Sequence, residues 1–254
     1  MPKKLLVTGS TKGIGKAILE RFHEDNWDVC ISGRNNEDVV NLQNKLNMIR
    51  KDSAIGASAD LSQEKDIKSL SNYIQNLWGN LDCIVFNVGS GSGSKGINSS
   101  FENNLSLLQI NYTDVVKNFN FLSTLLAKNP NGGNIIFIGS ISQDFNVKAP
   151  VAYSYSKRAI NNFAKSQALV LASKNIKVIV VNPGHILTAD GVWWKKKQKS
   201  PQDFDKFVAQ NIPTGKIGKE ENVAEMVFSC VNQNLEAFFT GQSLTIDGGT
   251  SLLQ

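Results

Sequence analysis

The sequence predicts an α/β protein: one doubly wound fold with about seven strands in a mostly parallel sheet and helices on both faces. Three observations carry this. Apolar runs of strand length alternate with stretches of helical period along the whole chain. The connections are short, and parallel strands require crossovers that are usually helices. Strand candidates such as IIFI and VIVV are apolar without interruption, as expected of strands covered on both faces.

The first strand is read at Lys4 to Thr8, and it runs into TGSTKGIG. Gly9, Gly13 and Gly15 there permit a tight turn before a helix. In that helix Ile14, Ala17, Ile18, Arg21 and Phe22 recur at spacings of three and four, which sets an apolar stripe against the sheet. Val29 to Ser32 is the second strand, ending in ISGRN, and Ala54 to Ser58 the third. Ile67, Leu70, Ile74 and Leu77 make the next helical stripe. The fourth strand, Leu81 to Asn87, leads into GSGSGSKG, residues 89–96, the one compositionally biased segment, which reads as a mobile loop. Helices are read from near Leu105 and from near Tyr153, around the fifth strand at Asn134 to Ser140; both are apolar on more than one side (LSLLQI, AINNFAKSQALVLA). Lys177 to Asn182 and Gln242 to Asp247 complete the sheet. No repeat is evident, so residues 1–254 are read as a single domain, with the segment at about 189–214 as a lid over the site.

Composition narrows the function classes. A chain of 254 residues, 41% hydrophobic and 19% charged, is ordinary for a globular protein with a sizeable core. Its longest aliphatic run, Val178 to Val181, is far too short to span a bilayer, and MPKKLLVTGS passes from two lysines directly into a strand. A soluble protein with no signal peptide and no membrane partner is expected. Cys30, Cys83 and Cys230 lie far apart in apolar stretches, which reads as reduced core thiols in a cytoplasmic protein, with no disulfide framework and no metal site. The net charge is +5, yet the basic residues are dispersed. The one dense run, Lys195 to Lys197 with Lys199, is assigned to a loop and read as a solvated face, so no nucleic-acid partner is expected.

Two stretches carry chemistry. The glycine turn, Gly9, Ser10, Thr11, Lys12, Gly13, Ile14 and Gly15, lies between the first strand and first helix, where backbone N–H groups at a helix N-terminus can hold a pyrophosphate. A dinucleotide's ribose is read at the end of the second strand, where an acidic residue would select NAD. Arg34 stands there instead and Lys12 adds a second cation, so NADP(H) is the expected cofactor. The second stretch is YSYSK, residues 153–157. Tyr153 and Lys157 are four apart and share a helix face with Cβ atoms roughly 5–6 Å apart, whereas Tyr155 points elsewhere. A cation there is expected to lower the phenol's pKa towards the range of a useful acid/base.

With these residues in register, the whole chain resembles the short-chain dehydrogenase/reductase family of NADP-binding Rossmann folds. TGSTKGIG is similar to TGxxxGxG, Asn87-Val88-Gly89 to NAG, and Asp60-Leu61 to the pair after the third strand that meets the adenine. Asn182-Pro183-Gly184 with Thr188 resembles the PG motif, and TGQSLTIDGG the usual carboxyl-terminal stretch. The resemblance implies a catalytic tetrad of Asn111, Ser140, Tyr153 and Lys157, with Ser140 thirteen residues before Tyr153. It further implies that Ser140 binds the substrate oxygen, that Lys157 also holds the nicotinamide ribose, and that Asn111 positions a water. The activity implied is interconversion of a carbonyl and a secondary alcohol, on a 3-oxoacyl group or a sugar or polyol. Alternatives are an epimerase or dehydratase of the extended branch and a non-catalytic NADP-binding sensor. The family pairs the two apolar helices in homo-oligomers, which implies a tetramer or a dimer. His185, Trp193 and Trp194 are further candidates for substrate contact, the tryptophans by stacking on a sugar or ring.

Overall fold

The computed structural model describes residues 1–92, 99–145, 149–232 and 236–253. Four of the eight residues of the glycine-rich segment 89–96 lie outside these. A seven-stranded sheet organises the chain. Its strands are β1 (Lys4–Val7), β2 (Asp28–Gly33), β3 (Ala54–Ser58), β4 (Cys83–Phe86), β5 (Gly133–Ile138), β6 (Ile176–Pro183) and β9 (Ser243–Ile246), all paired in parallel in the order β3-β2-β1-β4-β5-β6-β9. The chain winds outward from β1 to one edge, then returns to β4 and winds to the other. The order therefore reverses between β1 and β4, the place where ligands bind in open α/β sheets.

Alternate strand residues feed two cores. Leu5 and Val7 face α1 (Gly13–Glu24), α2 (Asn36–Ile49) and α9 (Glu220–Asn232), packing with Ile18, Phe22, Leu42 and Val227. Leu6 faces the opposite way, towards α3 (Glu64–Trp78), α5 (Asp114–Ala127) and α6 (Val151–Leu171), packing with Ile67, Leu70, Phe119 and Ile160. Phe22 and Phe137 are fully buried, each worth on the order of 2–3 kcal/mol of transfer free energy. A seven-stranded parallel sheet with helices on both faces is thus what the alternation predicted.

Several details differ from the sequence reading. Leu77 is not part of the α3 stripe: it is 54% exposed, while its neighbour Trp78 packs on the core. The helix stops there because Gly79 follows at φ 78°, so the last turn has no further residue to cover. The lysine run is not a loop. Lys195 to Lys199 lie in α7 (Val192–Lys199), followed after Ser200 by α8 (Pro201–Asn211), whose first position is the proline. Lysine and glutamine are good helix formers, and the cations sit in the last turn, where the helix dipole favours them. Two short strands, β7 (Ile186–Leu187) and β8 (Gly218–Lys219), pair in parallel and were not anticipated. Finally, α4 (Phe101–Leu108) and α5 are joined through one π-helical turn, Gln109–Thr113. Such turns insert a residue into an α-helix and recur at functional sites.

Among the described residues no helix is long and apolar enough to cross a membrane.

Candidate active site

The site lies beyond the carboxyl ends of β1, β4, β5 and β6. At β1 the chain enters the glycine turn with Gly9 at φ 65° and Gly13 at φ 61°, the left-handed region that only glycine adopts freely. Helix α1 then begins with no side-chain cap at Lys12, which leaves its first N–H groups for a ligand. Gly15 is needed for a different reason: a Cβ there would lie 2.5 Å from both Gly9 O and Asn87 Nδ2. Asn87 donates from Nδ2 to the carbonyls of Thr8 and Gly9, each at 3.1 Å, and so pins the turn to the end of β4. Ser10 is fully buried, its hydroxyl accepting from Ser32 N at 3.0 Å, so its side chain joins β1 to β2 and does not face the cleft. Thr11 packs on Gly33, whose Cβ would fall 2.6 Å from Thr11 Cγ2. Ile14 packs against the core beneath the turn.

At the end of β2, Arg34 is exposed, and no ion pair or hydrogen bond among the described residues engages its guanidinium. Asp60 accepts from Ser62 N at 3.0 Å; that bond, the Ser62 hydroxyl and the nearby Arg34 charge hold its carboxyl below the usual carboxylate value. Leu61 is buried, and its carbonyl accepts from Asn118 Nδ2 at 2.9 Å. On the far side of the turn, Thr188 faces Gly13: a Cβ on that glycine would sit 4.0 Å from Thr188 Cβ and Cγ2. Pro183 closes β6, and Gly184 N donates to Ile246 O at 2.9 Å.

Three of the four tetrad residues gather at the loop after β4. A Cβ on Gly89 would lie 2.8 Å from Asn111 Oδ1 and 3.2 Å from Lys157 Nζ, and one on Gly91 would lie 3.8 Å from Tyr153 Cζ. Only a glycine at position 89 admits Asn111 and Lys157 this close to the backbone, while Tyr153 is in ordinary contact with Gly91. Asn111 stands in the π turn, fully buried. Its Oδ1 accepts from Ser90 N at 3.0 Å, and its Nδ2 donates to Ser90 O and Leu107 O, each at 2.9 Å. The amide that the family resemblance assigns to a water is thus committed to backbone, locking the loop onto the helix. Ser90, which the sequence reading did not single out, is its partner.

Ser140 caps the short helical turn Ile141–Gln143, its hydroxyl accepting from Ser142 N at 3.2 Å, and it lies close enough to the Tyr153 phenol to favour the phenolate, which completes the group. The electrostatics differ from expectation. Burial raises the Tyr153 phenol above its usual value, and the Ser140 hydroxyl opposes this; the cation at Lys157 does not set the balance. Lys157 Nζ donates to Ile138 O at 2.8 Å and lies 5.8 Å from the Tyr153 ring centre. Burial pushes its ammonium down to about 8. Tyr155, by contrast, is 66% exposed.

The substrate candidates separate. His185 and Trp193 pack on one another with ring centres 4.6 Å apart, Phe207 stacks on Trp193 at 4.5 Å, and Lys196 Nζ lies 3.8 Å over the indole. Burial and the Lys196 charge push His185 down to about 4. Trp193 therefore spends its face inside the 188–217 excursion, whereas Trp194 is 38% exposed. His23 is buried on α1 and hydrogen-bonds Ser53 at 2.7 Å.

A strand-order reversal between β1 and β4 with this group beside it fits an α/β oxidoreductase. Comparison with known proteins agrees. The short chain dehydrogenase family model matches residues 3–199. A glucose 1-dehydrogenase of Gluconobacter oxydans is 30% identical over 250 residues, covering 98% of this chain and 92% of its own. Glucose 1-dehydrogenase 2 of Bacillus subtilis is 31% identical over 253 residues, covering 98% and 95%. Among solved structures, ElxO with NADP bound superposes with a TM-score of 0.89 at 26% identity, covering 100% of both chains. The Pseudomonas aeruginosa RhlG/NADP active-site complex gives 0.88 at 27% identity, covering 98% and 96%. The chain belongs to the short-chain dehydrogenase family and is an oxidoreductase acting on CH–OH and C=O groups.

Proposed function

We propose that this chain interconverts a carbonyl and a secondary alcohol with NADP(H), using Ser140, Tyr153, Lys157 and Asn111. The observation that carries the reading is the Tyr153 phenol, half-buried beside Gly91 and near enough to Ser140 to feel its hydroxyl, in the same loop as Gly89, which receives Lys157 and Asn111. The uncapped start of α1 and the positive φ angles of Gly9 and Gly13 fit a pyrophosphate. Arg34 and Lys12 suit a 2′-phosphate, Asp60 and Leu61 the adenine end, and Asn87, Gly89, Pro183, Gly184 and Thr188 the nicotinamide end. NADP(H), when bound, supplies or accepts the hydride. In the reducing direction Ser140 orients the substrate oxygen, and Tyr153 Oη gives that oxygen its proton. A phenol held above its usual value is protonated at neutral pH, which suits the donor role. In oxidation the same oxygen accepts the proton.

Sugars or polyols are the favoured substrates, supported by the two glucose 1-dehydrogenases among the relatives. A set of sugars, polyols, oxoacyl thioesters and simple ketones, assayed with NADPH and NADP+ at the nicotinamide absorbance, tests this. Turnover of none of them overturns the reading.

Cofactor choice is a sharper test. NADPH should bind at least about tenfold more tightly than NADH, or roughly 1.4 kcal/mol, and Arg34→Asp should narrow or invert the gap. Equal affinities by calorimetry would refute the assignment of Arg34.

We read residues 1–254 as one domain whose segment 189–214 covers the site, in a cytoplasmic homo-oligomer, most simply a tetramer. Exposed Phe101 and Leu105 on α4, with Val151, Tyr155, Leu169 and Val170 on α6, support the assembly. Sedimentation at micromolar concentration should give a tetramer or dimer; a monomer contradicts it.

A further inference from the structure

Residues 188–217 leave the body of the protein after β7 and return at β8. The two ends of this excursion lie side by side: Ile186 pairs with Gly218 and Leu187 with Lys219, and Gly218 N donates to His185 O at 3.0 Å. Among the described residues, one side chain bonds across this neck. Glu220, the first residue of α9, accepts from Ala189 N at 3.3 Å. Ala189 follows Thr188, the residue that stands over Gly13. The same carboxylate faces α1, where Lys16 favours its charge and Glu20 opposes it, as does Glu221 on its own helix.

The strap itself leaves Thr188 little room. Asp190 turns the chain at φ 59°, and Gly191 N donates back to Thr188 O at 3.0 Å. A Cβ on Gly191 would lie 2.1 Å from Thr188 Oγ1. The position of Thr188 on the glycine turn therefore depends on two things: a tight local turn and the tether at the next residue.

We infer that Glu220 is a positioning residue, clamping the neck of the 188–217 excursion and so holding Thr188 against the glycine turn where the cofactor would lie. The cofactor part rests on the NADP(H) reading above; the clamp does not. A hydrogen bond to a charged acceptor is stronger than a neutral one, and this one bridges two elements that are far apart in sequence. Without it, the paired strands β7 and β8 still close the neck and His185 still packs on Trp193 and Phe207, but the stretch at Thr188 and Ala189 loses its tether to α9.

The experiment compares Glu220→Ala with Glu220→Gln in the full chain. Both lose the charge near the start of α9, but only glutamine keeps an oxygen able to accept from Ala189 N. The first readout needs no cofactor: the rate of trypsin cleavage at Lys195 to Lys199, which rises if the neck loosens. The second is NADPH affinity by fluorescence titration. Glu220→Ala should be cleaved severalfold faster and bind about tenfold more weakly, and Glu220→Gln should stay within about threefold of the parent in both. Glutamine behaving like alanine, or alanine like the parent, would overturn the clamp. So would weaker NADPH binding without faster cleavage, which would point to a direct contact instead. If the parent protein binds no NADPH, the cofactor reading falls, and the cleavage rates alone still decide the clamp.

Discussion

Tyr153→Phe should lower turnover by about 10²-fold or more and leave NADP(H) binding nearly unchanged. The ring would stay where it is, half-buried beside Gly91, so the change removes the proton donor and its proximity to the Ser140 hydroxyl and little else. Tyr155→Phe is the control. Its side chain projects about 200° around the helix from Tyr153 and is mostly in solvent, so most activity should remain. Steady-state rates on a substrate from the screen, with a cofactor titration of each variant, make the comparison. A dead Tyr155→Phe enzyme beside an active Tyr153→Phe enzyme would move the catalytic face of α6 and discard the register from Ser140 onward.

The sheet was legible because its strands are buried on both faces. Runs such as Val178 to Val181 have no reason to be wholly apolar unless helices cover both sides, and all of those residues are buried. The pairing of Tyr153 with Lys157 was legible because spacing on a helix translates directly into distance, whereas Ser140 and Asn111 came from the resemblance alone. Other features depend on partners far away in the chain. β7 and β8 are two residues each, too short for any periodicity, and exist because Ile186 meets Gly218. The lysine run hid a helix because charge patterning describes exposure, not backbone; Trp193, stacked on Phe207 of the next helix, ties that helix inward. Spacing also said nothing of desolvation. It placed a cation beside Tyr153, but the Lys157 ammonium is turned to Ile138 O, and burial decides the phenol's pKa. Asn111 shows the same limit: its position could be read, but not that Ser90 and Leu107 consume its amide.

That buried ammonium leads to a second large effect, with opposite signs for stability and activity. Lys157→Met should cost at least about 10²-fold in turnover, since the charge beside Tyr153 and the expected ribose contact both go. The same change should stabilise the fold at neutral pH. In the unfolded chain the lysine holds its proton up to about 10.5, whereas in the folded protein burial lowers this to about 8. Across that window the unfolded chain binds more protons, so stability rises with pH between about 8 and 10.5 and the penalty is fully present below 8. A shift of this size corresponds to roughly 3 kcal/mol. Methionine follows the lysine stem without the charge, though Ile138 O loses its donor, a loss of about 1 kcal/mol or more. The variant should therefore melt a few degrees higher at pH 7. Thermal unfolding of both proteins from pH 7 to 10 checks the argument, because the gap should shrink as the parent lysine gives up its proton. A variant that is less stable at pH 7, or a gap that stays constant with pH, would mean that the Ile138 bond outweighs the burial of the charge. Convergence would instead show that the lysine is retained in the core at a cost to stability, for the sake of the chemistry beside Tyr153.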